Sequence, residues 1–158
     1  MKNIGSCLCG EVTFEIEGDF ENFYLCHCER CRKDTGSAHA ANLFSSTAKI
    51  TWLSGKDKIN TYNFRSEGHI KSFCKICGSA LPNIQFEGKL MVVPAGSLDN
   101  DINIKPQGHI YMANKANWDS ELEKIPKFPK LPEWVRSLTL KGIKIGAGIN
   151  IKGVAWNE

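Results

Sequence analysis

The chain has no apolar run long enough to cross a membrane as a helix, and its opening residues, Met1-Lys2-Asn3-Ile4-Gly5, lack the apolar stretch of a secretory signal. Both absences point to the cytoplasm, where thiols stay reduced. Concentrated basic charge is missing too: 20 Lys and Arg against 17 Asp and Glu leave a net charge of +3, without the clustering that marks a nucleic-acid binder. No Gly-rich phosphate loop occurs, because Gly96-Ser97 and the glycines from Gly142 to Gly148 lack the spacing and the lysine such a loop needs, so nucleotide chemistry has no support. Internal repeats and low-complexity segments are absent, and 158 residues with 42% apolar content suit one compact domain with a real core.

Cysteine, in contrast, is abundant and patterned. Cys7 and Cys9 form a Cys-x-Cys; Cys26, Cys28 and Cys31 form a Cys-x-Cys-x-x-Cys; Cys74 and Cys77 form a Cys-x-x-Cys followed by Gly78. Seven thiols in short repeats, odd in number and in a reducing compartment, suit metal better than disulfides. A Cys-x-x-Cys-Gly knuckle points two sulfurs at one centre, with the glycine free to adopt a positive φ. Such a knuckle supplies half of a tetrahedral zinc site, and a distant pair must supply the rest. The arithmetic suggests four ligands plus three, and three thiolates would leave a fourth position for water or substrate, which separates a catalytic zinc from a structural one. Disulfides, unmetallated buried thiols and a single zinc with spare cysteines are the competing partitions, and spacing does not settle which pair joins Cys74 and Cys77.

The secondary-structure signals are mainly β. Glu11 to Glu17 alternates polar and apolar residues, and further strands are expected at Phe23–Leu25, His39–Phe44, Lys49–Leu53, Ile59–Phe64, His69–Phe73, Leu90–Val93 and His109–Met112. Cys28 to Thr35 reads as a turn or short helix closed by Gly36. Little other helix is expected beyond a turn or two over Trp118–Lys124, before Pro126, Pro129 and Pro132 impose an extended path.

Taken in order, Gly5-Ser6-Cys7-Leu8-Cys9-Gly10-Glu11-Val12, Cys26-His27-Cys28-Glu29-Arg30-Cys31-Arg32-Lys33, and Phe73-Cys74-Lys75-Ile76-Cys77-Gly78-Ser79 resemble the glutathione-dependent formaldehyde-activating enzyme family, which includes the centromere protein V domain. Pro106-Gln107-Gly108-His109-Ile110-Tyr111, Trp118 and Leu131-Pro132 match its trailing pattern, so the resemblance spans residues 4–132. It implies a single domain of folded antiparallel β-sheets stapled by zinc, of the β-tent type. It further implies two zinc ions, a structural one on Cys7, Cys9, Cys74 and Cys77 and a catalytic one on Cys26, Cys28 and Cys31. The implied activity is that of a carbon–sulfur lyase, forming or breaking S-hydroxymethylglutathione, with glutathione as co-substrate and a small thiol and an aldehyde as partners. Neither nucleic acid nor membrane enters the reading, and the sequence sets no oligomeric state.

Finer roles follow by chemistry. Arg30, Arg32, Lys33, Lys71 and Lys115 are candidate partners for the carboxylates of glutathione, against the commoner role of solvated surface charge. His39, just past the open site, is a candidate proton shuttle, and His109 a candidate pocket residue. His27 is expected to be structural, pointing away from the flanking thiols. His69 carries no signal. Residues 133–158 fall outside the resemblance and read as an extension packed on the same domain, covering a sheet edge, with an added hairpin or dimer-swapping strand as the alternative. Two other functions stay open: a non-catalytic zinc-stabilised binding module, which should carry a basic arm this chain lacks, and a thiol redox sensor, which should release zinc on oxidation.

Overall fold

The computed structural model describes residues 2–64, 69–130 and 132. The chain divides into two compact units, Met1–Ala116 and Asn117–Glu158. The extension expected at 133–158 lies outside the described residues.

Among the described residues of the first unit there are one α-helix and eleven strands. They are β1 (Lys2–Ser6), β2 (Thr13–Glu17), β3 (Asn22–Cys26), β4 (Ala40–Ser45), β5 (Lys49–Ser54), β6 (Ile59–Phe64), β7 (His69–Cys74), β8 (Ala80–Leu81), β9 (Asn83–Gln85), β10 (Leu90–Pro94) and β11 (Gly108–Ile110). The helix is α1 (Glu29–Thr35), closed by Gly36 in the left-handed region at φ 65° with its N–H bonded to the Arg32 carbonyl. The strands make three sheets, ordered β1-β2-β5, β11-β3-β4-β10-β9 and β6-β7-β8. Every pairing is antiparallel except β11 with β3, which sets Ile110 opposite Cys26. The fold is thus mainly β, as the alternation in the sequence indicates.

The alternation works where a strand has one wet and one dry face. In β2, Phe14 and Ile16 point inward and are fully buried, while Thr13, Glu15 and Glu17 face outward. Phe14 meets Trp52 of β5 edge to face at 5.6 Å. With Val12, Phe23, Leu43, Leu81, Met91 and Val93 they form the main core, and Cys7 and Cys74 belong to that same cluster. A second, smaller buried cluster gathers Cys26, Cys31 and Ala40.

Three strands carry no such signal. In β1 the inward residues are Asn3 and Gly5, while Ile4 is 51% exposed, so polarity runs opposite to burial. Asn3 is satisfied inside by the amide of Asn100, and Gly5 is required because a Cβ there would lie 2.2 Å from the Phe14 ring and 2.4 Å from the Ser97 carbonyl. β8 and β9 are too short to show a period. The strand expected over His109–Met112 ends at Ile110, because Tyr111 turns left-handed at φ 59° and starts a 3-10 turn over Met112–Asn114.

In the second unit, the helical turn expected over Trp118–Lys124 is confined to a 3-10 turn at Leu122–Lys124. It starts from Glu121, left-handed at φ 57° and ion-paired with Lys124.

Candidate metal centres

Two knuckles of different length, each closed by a left-handed glycine, carry the first cysteine group. One follows β1: the N–H of Gly10, left-handed at φ 74°, bonds the Cys7 carbonyl at 2.9 Å. The other follows β7: the N–H of Gly78, at φ 75°, bonds the Cys74 carbonyl at 2.9 Å. A residue with a Cβ would be strained at either glycine, so both belong to the knuckle geometry rather than to a general looseness of the loops. The Leu8 N–H donates to the Ser79 hydroxyl at 3.0 Å and ties one knuckle to the other.

Across this junction the sulfurs of Cys7, Cys9, Cys74 and Cys77 all lie within 4.8 Å of one another. Cys7 and Cys9 are 3.4 Å apart, and Cys9 and Cys74 3.9 Å. Zinc held by four sulfurs at about 2.3 Å needs sulfur–sulfur edges of about 3.8 Å, so the donor set fits a tetrahedral zinc in both chemistry and size. A disulfide would need sulfurs at about 2.05 Å, and none of the seven cysteines is in one. Cys7 and Cys74 belong to the core while Cys9 and Cys77 are half-buried at its edge, and burial pushes Cys9 up to about 12 and raises Cys74. At Cys77 burial is outweighed by the Ser79 hydroxyl and N–H, which draw the thiol down to about 6. A cation is the natural counterweight to four thiols crowded in this way.

The second group is local. Cys26 ends β3, Cys28 caps α1 with its sulfur accepting the Cys31 N–H at 3.4 Å, and Cys31 occupies the helix's first turn. Cys28 adopts an extended conformation (φ −63°, ψ 155°), which turns its side chain back over the start of the helix. The three sulfurs lie within 4.8 Å of one another, again a fit for zinc, with one ligand fewer than a closed tetrahedron. Burial raises Cys26 and Cys31. At Cys28 burial is overcome by the N–H groups of Cys31 and Arg30 and by the neighbouring thiols, and the thiol is lowered. All three cysteines line a cavity of about 630 Å³, within the size range of small-molecule sites.

Of the cationic candidates, Arg30 and Lys71 line this cavity, whereas Arg32, Lys33 and Lys115 are not among its lining residues. Arg30 sits over the Phe64 ring at 5.3 Å. Lys33 pairs with Glu29 at 3.4 Å on the exposed side of α1. Lys71 is already engaged, through an ion pair with the Asp34 carboxylate and a hydrogen bond to the Asp34 carbonyl at 2.9 Å.

The histidines group differently from the sequence expectation. His27 is 2% exposed and its Nε2 lies 2.8 Å from His109 Nδ1, while its ring centroid is 5.1 Å from that of His39. Three rings thus pack together, and none of them lines the cavity. The histidine that does line it is His69, with Nε2 at 3.6 Å from Asp34 Oδ2. Asp34 and His69 escaped the sequence reading. The available signal was faint: His69 and Lys71 alternate on β7, so they share a face of the strand running into a metal knuckle, and Asp34 stands one helical turn after Cys31.

Fold and site together define a mainly β protein with two cysteine clusters that could hold metal ions, one of four cysteines and one of three that line a cavity. Residues 2–114 match the glutathione-dependent formaldehyde-activating enzyme family. The chain belongs to that family. In fold it is similar to the crystal structure of a Rhodobacter sphaeroides protein, 23% identical, with a TM-score of 0.51 over 69% of this chain and 99% of that one. Among curated proteins, none matches the chain. No helix among the described residues is long and apolar enough to cross a membrane.

Proposed function

We propose that the protein is a zinc-dependent carbon–sulfur lyase that makes and breaks the bond between a thiol sulfur and an aldehyde carbon. By family, the reactants are glutathione and formaldehyde and the adduct is S-hydroxymethylglutathione. The observation that carries the reading is the difference between the two centres: four cysteines whose sulfurs complete a tetrahedral donor set, and three that line a cavity of about 630 Å³.

Cys7, Cys9, Cys74 and Cys77 would hold the structural ion, and Cys26, Cys28 and Cys31 the working one. Zinc bound there supplies a Lewis acid that makes an incoming thiol shed its proton. The chain's own contribution is placement. The end of β3 and the cap of α1 set three sulfurs on one side and leave the cavity side open, so thiol and aldehyde meet at high effective concentration. Phe44, Ile70, Leu90, Val92 and Ile110 give the cavity apolar walls, which limit the water that would otherwise hydrate the aldehyde. Arg30 at the lining offers a cation to a substrate carboxylate. In the forward direction the sulfur forms its bond to carbon, the carbonyl electron pair moves to oxygen, and that oxygen takes a proton.

The test is exchange-transfer NMR with glutathione and 13C-formaldehyde, comparing the zinc-loaded protein with Cys28→Ser. Adduct formation and breakdown should accelerate with the intact protein and fall to the spontaneous rate with the variant. Equal rates for the two proteins would rule the lyase reading out.

A further inference from the structure

We propose that His69 is the proton carrier of this reaction and that Asp34 positions it, an assignment that rests on the lyase reading above. The reaction moves one proton from thiol sulfur to adduct oxygen, so a group that both accepts and returns a proton near neutral pH is needed beside the three cysteines. Among the described residues, besides those cysteines and His69, the titratable side chains lining the cavity are Glu29, Arg30, Asp34, Lys71 and Tyr111. Carboxylates, guanidinium, ammonium and phenol ordinarily titrate far from neutrality, and imidazole alone titrates near it.

The placement of His69 is built from both sides of the cavity. His69 and Lys71 alternate on β7 and so project from the same face, with side chains 22% and 26% exposed. From the opposite element, Asp34 in the last turn of α1 offers one carboxylate oxygen to Lys71 and the other to His69 Nε2 at 3.6 Å. Asp34 stands one helical turn beyond Cys31, so the helix that carries Cys31 and is capped by Cys28 also sets the carboxylate that faces the imidazole. Asp34 thus bridges Lys71 and His69 at the cavity lining.

The proton then has a complete path. In adduct formation the thiol proton passes to the His69 imidazole. The sulfur lone pair forms the bond to the aldehyde carbon, the carbonyl π pair becomes an alkoxide lone pair, and imidazolium returns the proton to that oxygen. In breakdown, neutral His69 takes the hydroxyl proton, the C=O bond forms as the C–S bond breaks with its pair going to sulfur, and the proton is handed back to sulfur. No oxidant or second co-reactant is required. His39, the shuttle expected from the sequence, packs against His27 at 5.1 Å and does not line the cavity.

The experiment uses the full zinc-loaded chain, with exchange NMR of the glutathione–formaldehyde adduct, glutathione binding by calorimetry and zinc by elemental analysis. His69→Ala should lower kcat about 100-fold, with KM and glutathione affinity within about threefold and zinc content unchanged. Added imidazole should restore at least about tenfold of the loss, because a free base can occupy the space left by the side chain. Asp34→Asn should lower kcat about tenfold, a smaller loss because the imidazole remains. If His69→Ala does not fold, His69→Gln, close in size, carries the same expectation without the rescue. A His69 variant within about twofold of the parent kcat overturns the proposal, as does a loss seen mainly in KM or one that imidazole does not reverse in His69→Ala. Cys28→Ser measured in parallel separates the two claims. If Cys28→Ser is inactive while His69→Ala is not, the lyase reading stands and the proton carrier falls; if Cys28→Ser is fully active, the lyase reading itself falls.

Discussion

The two cysteine centres should differ in how much stability they supply, because they close loops of very different length. In the four-cysteine centre, Cys9 and Cys74 are 65 residues apart in sequence and 3.9 Å apart in space. Fixing the ends of a loop that long removes unfolded-state entropy equivalent to about 4 kcal/mol at room temperature. The three-cysteine centre joins only residues 26 to 31, for which the same relation gives about 2 kcal/mol, and β3 and α1 already restrain that segment. Serine matches cysteine in size at all four positions, of which Cys26, Cys31 and Cys74 are buried and Cys77 half-buried. Cys74→Ser with Cys77→Ser should therefore melt roughly 5–10 °C below Cys26→Ser with Cys31→Ser. Calorimetry or circular dichroism of the zinc-loaded proteins measures the difference, and elemental analysis should find two zinc ions in the parent and one in each double variant. Equal melting temperatures, or a lower one for the Cys26/Cys31 variant, would refute the assignment of the remote centre as the clamp.

Gly5→Ala should cost about 2–4 kcal/mol in urea unfolding, since its methyl would press on the Phe14 ring at 2.2 Å and on a backbone carbonyl at 2.4 Å, neither of which can retreat easily. Phe14→Ala, at the centre of the main core and fully buried, should cost about 3–5 kcal/mol in the same assay. Glu87, exposed and left-handed at φ 56° between β9 and β10, should gain about 0.5–1 kcal/mol on replacement by glycine, read as a higher melting temperature. Glu21 is held below the usual carboxylate value of 4.5 chiefly by the Ser46 N–H, so its folded pKa lies under its unfolded one. Its stabilisation is present above the unfolded value and lost as pH falls through the folded value; the melting gap between the parent and Glu21→Gln should close as pH drops below about 4.5.

The strands that could be read in advance are those whose inward residues are apolar. β2 and β5 alternate because one face of their sheet is wet, and Ile59–Phe64 is placed to the residue by the turn signals around it. β1 resisted the same reading because its inward positions hold Asn3, satisfied by Asn100, and Gly5, pressed against Phe14 and Ser97. Both partners lie far away in sequence, so no local period can reveal the strand. The short helix at Cys28–Thr35 was legible because its stop, Gly36, is a property of the chain alone.

By itself the sequence marked the Cys74–Cys77 knuckle: the cysteine spacing and the following Gly78 set a left-handed turn, a local matter of backbone sterics. The odd count and short repeats of the cysteines favoured metal over disulfides, and none of the seven is in a disulfide. Spacing left open which pair would meet Cys74 and Cys77, and family resemblance only implied the answer. Bringing the Cys7–Cys9 knuckle to the Cys74–Cys77 knuckle took three sheets folding around a common core. The tertiary structure alone decided which histidine shares a cavity with Cys26, Cys28 and Cys31. His27, His39 and His109 pack on one another, while His69 is set in the cavity wall by Asp34. A histidine's role depends on what lies across from it, and what lies across is supplied by residues distant in the chain.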